Sequence, residues 1–306
     1  MMRTTILNIQ NPKISCVALF ANFNVPEKAN AALQVADYLS DIGVVVAFHA
    51  YNRDKIFRMR RHKSSFLYLN TDELYTTTEM VIVFGGDGTI LEAARFAAPH
   101  NIPLLNFNLG RVGYMAELEL SEMEMLKDIC DGNYFLDERS MLSVQVYNSS
   151  GKLRKSTFAL NDAVITNGAL ARLVDLELYE SDRLLTTYRA DGLIVSTPTG
   201  STAYFMSAGG SIVDPHLAAI CVAPICSYSL MARPILFTDS SEICIKNVCL
   251  REKMIYLTVD GKINIELYVD NMVKIRKSEL KTLFVRVKDR SFYTNLSAKL
   301  CNTAKL

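Results

Sequence analysis

The chain has 306 residues, of which 50% are apolar and 21% are charged, a composition that excludes general disorder. Its 33 Lys and Arg residues against 32 Asp and Glu residues give a net charge of +1. A protein dedicated to nucleic acid would carry a clear basic excess, so we expect no nucleic-acid partner.

Strand and helix patterns alternate along the first part of the chain. Short apolar, β-rich runs predict buried strands at residues 14–20, 44–48, 80–84 and 103–107. Apolar residues at helical spacing predict helices at residues 26–40 and 89–98. This alternation predicts an α/β domain over residues 1–139, built on a parallel, Rossmann-like sheet that helices cover. Residues 50–79 have no pattern that assigns them an element or a role.

A glycine-rich segment separates the third of these strands from the helix that follows it. The segment consists of Gly85, Gly86, Asp87, Gly88 and Thr89. Glycines let the backbone turn tightly and bring its amides close to a ligand, and the N-terminus of the next helix attracts anions. Asp87 cannot itself attract a phosphate, so it would bind a hydroxyl, a metal ion or a proton. The segment is therefore either a phosphate-binding loop or an ordinary turn.

Beyond about residue 140, short β-rich runs follow one another. We predict strands at residues 142–147, 157–166, 173–179, 184–188, 193–196, 242–248, 254–259, 263–269 and 272–275. These runs, with turn signals between some of them, predict a β-rich, β-sandwich-like domain over residues 140–286. The tail, at about residues 287–306, is expected to pack back on the first domain.

A polar pair interrupts one of the predicted strands. Asn161 and Asp162 follow an apolar run and precede another. A buried polar group is costly unless it is hydrogen-bonded. The pair therefore marks either a strand end at a ligand site or a bulge.

A second polar segment is rich in hydroxyl groups. Seven residues between 196 and 207 carry a hydroxyl, and Thr199 or Ser201 is predicted to cap a short helix that ends near residue 210. Hydroxyls, glycine and a helix start together favour a polar pocket for a polyol, an amide or a phosphate. The alternative is a helix cap that binds no ligand.

The cysteines and the apolar stretches bear on where the protein works. Seven scattered cysteines form no CxxC pair, which argues against a disulfide framework or a zinc knuckle and favours a reducing cytoplasm. No signal peptide is recognised. The longest apolar stretch, residues 217–226, is far shorter than the ~20 residues that cross a bilayer. We expect a cytoplasmic protein with no membrane partner.

The order and spacing of six segments resemble those of the NAD kinase family. The segments are GGDGT at residues 85–89, NLGRVGYMAEL at 108–118, ALNDAVI at 159–165, RADGLIVSTPTGSTAYFMSAGG at 189–210, ARPILF at 232–237 and VDGK at 259–262. GGDGT alone is shared with diacylglycerol-type lipid kinases, whereas the long segment at 189–210 is much more specific to NAD kinases.

The resemblance implies that the protein phosphorylates the 2′-hydroxyl of the adenosine ribose of NAD to give NADP, with ATP or polyphosphate as the phosphate donor. It makes Asp87 the proton acceptor beside that hydroxyl. No cluster of carboxylates marks a metal cage, so we expect a divalent ion, Mg²⁺, to arrive with ATP. Members of the family are usually homo-oligomers, which implies a homodimer or homotetramer with the β-rich domain at the interface.

The resemblance also assigns binding residues. It places Asn161 and Asp162 at the nicotinamide-side ribose and the adenine region, Asp191 near the nicotinamide amide, and Tyr204 where it can stack on a ring. Relatives often carry Glu where Asp162 stands. The other residues implied to bind NAD or to line the nucleotide site are Asp87, Gly88, Arg172, Arg189, Thr202, Ala203, Ser207 and Lys262. The implied phosphate loop consists of Gly85, Gly86, Gly88 and Thr89.

Two other functions use some of the same features. A lipid kinase would share the GGDGT loop, but no amphipathic helix with a basic face for a membrane surface is recognised in the sequence. A dinucleotide-binding sensor without activity would bind NAD and release no NADP, so a turnover assay distinguishes such a sensor from an NAD kinase.

Overall fold

The computed structural model describes residues 11–59, 65–109, 115–168, 172–250, 254–288, 292–294 and 296–297. The chain divides into two compact units. The first consists of Met1–Glu138 and Thr282–Leu306, and the second of Arg139–Lys281. In the described residues, no helix is both long enough and apolar enough to cross a membrane.

The first unit contains a parallel sheet with helices. Its strands are β1 (Cys16–Ala21), β2 (Val45–His49), β3 (Leu67–Leu69), β4 (Met80–Phe84), β5 (Leu104–Asn108) and β6 (Leu118–Glu119). Its helices are α1 (Pro26–Asp41), α2 (Arg53–Met59), α3 (Thr71–Thr77), α4 (Asp87–Ala97) and α5 (Leu126–Cys130), with 3₁₀ turns at Ala50–Asn52, Ala98–His100 and Leu120–Met125. The strands pair in parallel in the order β3-β2-β1-β4-β5-β6. The predicted parallel α/β sheet is confirmed.

Burial explains why this sheet forms. All five residues of β4 are buried, as expected for a strand covered by helices on both faces. Helix α1 begins at Pro26, whose fixed φ suits the first helical position. Its buried side chains include Val35 and Leu39, which belong to the same core as Ile82 and Phe84 of β4. Because the buried strand ends at Phe84, the chain leaves the sheet at Gly85, where the glycine-rich segment begins.

The second unit is built almost entirely of strands. They are β7 (Phe135–Tyr147), β8 (Leu153–Ala159), β9 (Asp162–Thr166), β10 (Val174–Glu180), β11 (Arg183–Ala190), β12 (Gly192–Ser196), β13 (Ala219–Ile225), β14 (Ile235–Thr238), β15 (Ile243–Asn247), β16 (Met254–Val259), β17 (Ile263–Tyr268) and β18 (Met272–Arg286). Strand β7 begins, and β18 ends, in residues of the first unit. A 3₁₀ turn at Thr199–Thr202 and helix α6 (Tyr204–Ser207) follow β12.

Two antiparallel sheets of the second unit share one core. One sheet has the order β14-β13-β12-β9-β16-β17; the other contains β11-β10-β15 and the start of β18. Leu176 and Ile245 of the second sheet lie in the same buried cluster as Val195 and Leu257 of the first. Apolar faces packed against each other in this way make a β-sandwich, which confirms the predicted β-rich fold.

The far face of the six-stranded sheet is also covered. Ile194 of β12 packs in a separate buried cluster with Phe205 of α6 and with Val213. Strand β12 is therefore buried on both faces, which explains its continuous apolar sequence. The segment after β12, which contains Phe205 and Val213, therefore folds back over this face of the sheet.

Three predicted elements are wrong in detail. The strand predicted at 157–166 is two strands, because β8 pairs with β7 whereas β9 pairs with β12 and β16. The strand predicted at 272–275 continues to Arg286. The predicted capped helix is a 3₁₀ turn followed by the four-residue α6, and neither Thr199 nor Ser201 caps it. The Ser201 hydroxyl instead donates to Val213 O (3.2 Å) and accepts from Val213 N (2.9 Å).

Candidate active site

The glycine-rich segment of the first unit joins the carboxyl end of β4 to the N-terminus of α4. Gly86 is the N-cap residue, and the helix begins at Asp87, two residues earlier than the sequence predicts. Asp87 therefore lies in the first turn of the helix, where its side chain is partly buried. The first N–H groups of a helix have no partner within it and carry positive partial charge. The segment combines a carboxylate with backbone donors suited to an anion.

The glycines of this segment differ in what they do. At Gly85 (φ +157°) an added Cβ would lie 2.5 Å from Thr89 Oγ1, so the fold itself requires glycine there. At Gly86 and Gly88 an added Cβ would meet no atom within 4 Å. In the described part of the chain, the N–H groups of Gly86 and Gly88 donate no hydrogen bond. These two amides and the space beside them are available to a phosphate.

In the second unit, one carboxylate holds the connection between β8 and β9. The carboxylate of Asp260 accepts hydrogen bonds from the N–H groups of Leu160 (2.8 Å), Asn161 (2.8 Å) and Asp162 (3.1 Å). The N–H of Asp260 in turn donates to Asp162 O (2.9 Å). Asp260 has a positive φ of 48° in the turn between β16 and β17, and this conformation directs both groups toward the connection.

The hydroxyl-rich segment satisfies the carbonyls of the same connection. The Thr197 hydroxyl donates to Leu160 O (2.6 Å) and the Ser196 hydroxyl to Asn161 O (3.1 Å), while Thr197 N also donates to Asn161 O (2.9 Å). A Cβ at Gly200 would overlap Asn161 O, so glycine is needed for this close approach. Each backbone N–H and C=O of Leu160, Asn161 and Asp162 therefore has a partner.

The side chains of this connection are less well satisfied. Asn161 is 7% exposed and Asp162 is 6% exposed. Within the described residues, Asn161 Oδ1 is buried and has no hydrogen-bond partner. Burial, and secondarily the negative charge of Asp260, raise the pKa of the Asp162 carboxyl from 3.8 to about 7. A buried polar atom left unsatisfied costs about 1–3 kcal/mol, so a ligand that hydrogen-bonds these groups would be favoured.

The remaining residues of the hydroxyl-rich segment differ in exposure. The Thr202 hydroxyl donates to Thr199 O (3.4 Å), and Tyr204 is 45% exposed. Ala203 is partly exposed and Ser207 is exposed. Tyr204 therefore presents an aromatic face to which a ring could stack.

Asp191 and Arg189 lie away from Asn161 and Asp162. Strand β12 pairs antiparallel with β9, with Ser196 opposite Asp162 and Gly192 opposite Thr166. Asp191, which precedes β12, is therefore at the opposite end of this strand pair. There its N–H donates to Ile225 O (2.9 Å), and the Arg189 guanidinium lies 5.9 Å from the centre of the Tyr228 ring.

Two other predicted cations are exposed. Lys262 is in the same turn as Asp260, and Arg172 precedes β10. The backbone carbonyl of Arg172 accepts a hydrogen bond from Asn167 Nδ2 (3.4 Å). Of the segment predicted at 108–118, residues 110–114 lie outside the described residues.

Sequence reasoning missed two residues of this region. Asp260 belongs to the VDGK segment, of which the resemblance assigns only Lys262 to the site. Arg139 is buried, and its Nη1 lies 3.4 Å from Thr199 Oγ1. A buried arginine cannot be identified from its neighbours in sequence, whereas an Asp-Gly turn between two predicted strands is a recognisable signal.

No metal cage is found in the described parts of either unit: no three His, Cys, Asp or Glu side chains are grouped so that they could hold an ion. Mg²⁺ commonly binds through one or two carboxylates and the phosphates of a nucleotide. The described residues are compatible with that mode of binding.

Comparison with known families matches both parts of the chain. Residues 17–134 match the model of the ATP-NAD kinase N-terminal domain, and residues 160–287 match that of the ATP-NAD kinase C-terminal domain. NAD kinase of Geobacter metallireducens is 36% identical over 285 residues, 93% of this chain and 97% of the relative. NAD kinase of Carboxydothermus hydrogenoformans is 40% identical over 231 residues, 75% of this chain and 81% of the relative.

Solved structures show the same fold. The crystal structure of yeast NADH kinase complexed with NADH matches with a TM-score of 0.87 and 25% identity, covering 94% of this chain and 88% of that one. An NAD kinase from Archaeoglobus fulgidus in complex with ATP matches with a TM-score of 0.70 and 22% identity, covering 93% and 97% of the two chains.

Proposed function

The chain belongs to the NAD kinase family and is a phosphotransferase that converts NAD to NADP, and we propose that the glycine-rich segment and the Asn161–Asp162 connection carry out this reaction. The observation that carries the proposal is the position of Asp87 in the first turn of α4, beside the amides of Gly86 and Gly88. The sequence resemblance assigns the same residues.

In the proposed reaction, Asp87 orients the 2′-hydroxyl of the adenosine ribose and accepts its proton. The amides of Gly86 and Gly88 and the N-terminus of α4 bind phosphate, with Gly85 and Thr89 shaping the loop. Phosphoryl transfer depends mainly on positioning and on neutralising charge. A general base typically contributes only ~10²–10⁴-fold, so Asp87 acts as much through orientation as through proton transfer.

We assign NAD binding chiefly to the second unit. Asn161 and Asp162 hydrogen-bond the ribose hydroxyls, Asp191 receives the nicotinamide amide, and Tyr204 stacks on a ring. Asp191 and Asn161 lie at opposite ends of the β9–β12 strand pair, so we assign them to different parts of an extended dinucleotide. The other residues proposed to line the site are Gly88, Arg172, Arg189, Thr202, Ala203, Ser207 and Lys262.

The donor is ATP or polyphosphate, and a divalent ion, Mg²⁺, enters with ATP. When bound, the ion neutralises phosphate charge and aligns the transferred group. The chain's own residues supply the amides of the loop and the carboxylate of Asp87. Omitting the divalent ion should abolish turnover and leave NAD binding in place.

We further propose that the protein is a cytoplasmic homodimer or homotetramer. The six cysteines in the described part of the chain are unpaired, which suits a reducing compartment. Tyr228, Leu230 and Met231 of the second unit are 77%, 88% and 84% exposed, and an apolar group of this kind is typical of an interface. A monomeric mass by light scattering at micromolar concentration would contradict the assembly.

The reaction is tested with purified protein, NAD, Mg²⁺ and ATP, with an NADP-specific dehydrogenase to detect the product. We expect steady NADP formation that falls by ~10²–10⁴-fold in Asp87→Asn. The control is Asp128→Asn, which changes an exposed aspartate in the first turn of α5 and should keep the wild-type rate. A wild-type rate in Asp87→Asn would exclude the assigned role. NAD binding without NADP from any donor would indicate a sensor.

A further inference from the structure

The turn between β16 and β17 contains a carboxylate that has no part in the chemistry assigned above. Asp260 makes four hydrogen bonds to the Leu160–Asp162 connection, three through its carboxylate and one through its N–H. These bonds join segments about 100 residues apart in sequence. An acceptor with two oxygens is what three converging N–H groups require, and no neutral side chain of the same size supplies it.

From this geometry we propose that Asp260 is the positioning residue for NAD and holds the Asn161 and Asp162 side chains toward the dinucleotide. Its carboxylate, 3.1 Å from Asp162 N, also makes NAD affinity depend on whether Asp162 carries a proton. The proposal rests on the assignment of Asn161 and Asp162 to NAD. It adds that Asp260 holds Asn161 and Asp162 in position and that its charge affects the protonation of Asp162.

The positioning role follows from how the connection is bonded. Asp260, Ser196 and Thr197 satisfy the backbone of Leu160, Asn161 and Asp162. The connection is therefore fixed before any ligand binds, and its side chains are the polar groups left to bind one. Asn161 Oδ1, buried and without a partner in the described residues, is the atom that a ligand donor would satisfy.

The charge role follows from the surroundings of Asp162. Burial, and secondarily the negative charge of Asp260 in the β16–β17 turn, raise the pKa of Asp162 to about 7. Its neighbour on β12 is Ser196, and β16 presents Val259 beside Ala163, so neither adjacent strand places a charge there. Lys262, in the same turn as Asp260, is exposed. Burial and the Asp260 charge are the causes of the shift.

Hydrogen bonding between Asp162 and the ribose sets the direction of the pH effect. Ribose hydroxyls donate hydrogen bonds, and an ionised carboxylate accepts at both oxygens, whereas a protonated carboxyl uses one oxygen as a donor. NAD should therefore bind better to ionised Asp162. With a pKa near 7, the ionised fraction rises from about one-tenth at pH 6 to about nine-tenths at pH 8. The Kd for NAD should then fall about tenfold over this range.

The test measures NAD binding without a phosphate donor by calorimetry from pH 5.5 to 8.5, together with kcat and KM at saturating ATP. For the wild type we expect the tenfold fall in Kd between pH 6 and pH 8. Asp162→Asn keeps the bonds to Asp260 and should remove the pH dependence of Kd.

Asp260→Asn places an amide nitrogen against backbone donors and removes the charge. It should raise the Kd and KM for NAD at pH 8 by about tenfold or more, because the connection that carries Asn161 and Asp162 loses its bonds to the carboxylate and its side chains lose their fixed positions. It should change kcat less than about threefold, because Asp260 does not touch the reacting atoms, and should shift the midpoint of the pH profile downward.

The matched control is Asp270→Asn. Asp270 also has a positive φ (61°) in a turn between two strands of the second unit, but its carboxylate pairs with Lys246 at 2.8 Å. This variant should match the wild type in Kd and in its pH profile.

Three results would overturn the proposal: a Kd for NAD that does not vary with pH in the wild type, a pH profile unchanged in Asp162→Asn, or an Asp260→Asn protein that loses kcat with KM for NAD unchanged. If Asp260→Asn does not fold, the pH dependence of Kd in the wild type and in Asp162→Asn still tests the proposal. A wild type that makes no NADP, or full activity in Asp87→Asn, would instead count against the proposed function.

Discussion

The glycine-rich segment of the first unit and the Leu160–Asp162 connection of the second present polar groups in opposite ways. At the first, backbone N–H groups of Gly86 and Gly88 are available at a helix N-terminus. At the second, the backbone is fully hydrogen-bonded, and buried side chains supply the polar atoms. Backbone donors suit a phosphate, which every nucleotide carries, whereas side chains can distinguish one sugar or base from another.

The comparison shows what each kind of site requires. A backbone site needs small residues, so that the ligand can approach, and a helix start that supplies charge. A side-chain site needs a rigid backbone, which Asp260, Ser196 and Thr197 hold here through hydrogen bonds.

Asp162 should make the stability of the protein depend on pH. The pKa of Asp162 is raised from 3.8 to about 7 in the folded protein. The stabilising contribution of its protonated form to the free energy of unfolding is therefore complete below pH 3.8 and is lost progressively as the pH rises from 3.8 through 7. The loss from this group between pH 5 and pH 8 is about 3 kcal/mol. Asp162→Asn has no such group and should not lose this stability. In thermal unfolding without ligand, the free energy of unfolding of the variant relative to the wild type should therefore rise by about 3 kcal/mol between pH 5 and pH 8. Asp270→Asn is the control, and an equal loss of stability in Asp162→Asn would contradict the account.

Alanine at a glycine should have different effects in the two regions. In Gly200→Ala the new Cβ would overlap the carbonyl oxygen of Asn161, so we expect a loss of about 1–3 kcal/mol. In Gly86→Ala the Cβ enters open space, and the loss of the N-cap glycine should cost less than about 1 kcal/mol. Chemical denaturation of the two variants measures both values, and equal losses would remove the distinction.

A smaller difference is expected within the glycine-rich segment. Gly85→Ala would bring a Cβ to 2.5 Å from Thr89 Oγ1 and 2.9 Å from Thr89 Cβ. Rotation of the Thr89 side chain relieves only the first of these contacts, so we expect a loss of about 1–2 kcal/mol. Gly88→Ala meets no atom within 4 Å and, in an exposed helical turn, should be neutral or slightly stabilising. The melting temperatures of the two variants give this comparison, which a stable Gly85→Ala would contradict.

The sequence predicted the parts of both regions that depend on local pattern. Strand β4 was predicted at its observed bounds, 80–84, because a strand buried on both faces is continuously apolar. Strand β16, at 254–259, was also predicted at its observed bounds. The residues 50–79 were not assigned, since α2, β3 and α3 are three to seven residues long and such short elements carry little periodicity.

The parts that depend on distant residues could not be predicted. The hydroxyl of Ser201 is a good helix cap by composition, but it is used to hold Val213. Asp260 contacts residues 98–100 positions earlier in the chain, and no local pattern records such a contact. The roles assigned to the individual site residues remain predictions.

The most direct test of the account is steady-state kinetics of Gly86→Ala and Asn161→Ala with both substrates varied. Gly86→Ala should raise KM for ATP by about tenfold or more, because its Cβ occupies space assigned to phosphate, and should leave KM for NAD within about twofold. Asn161→Ala should raise KM for NAD and leave KM for ATP unchanged. If each variant raises both KM values equally, or if the effects are exchanged, the division of binding between the two regions is wrong.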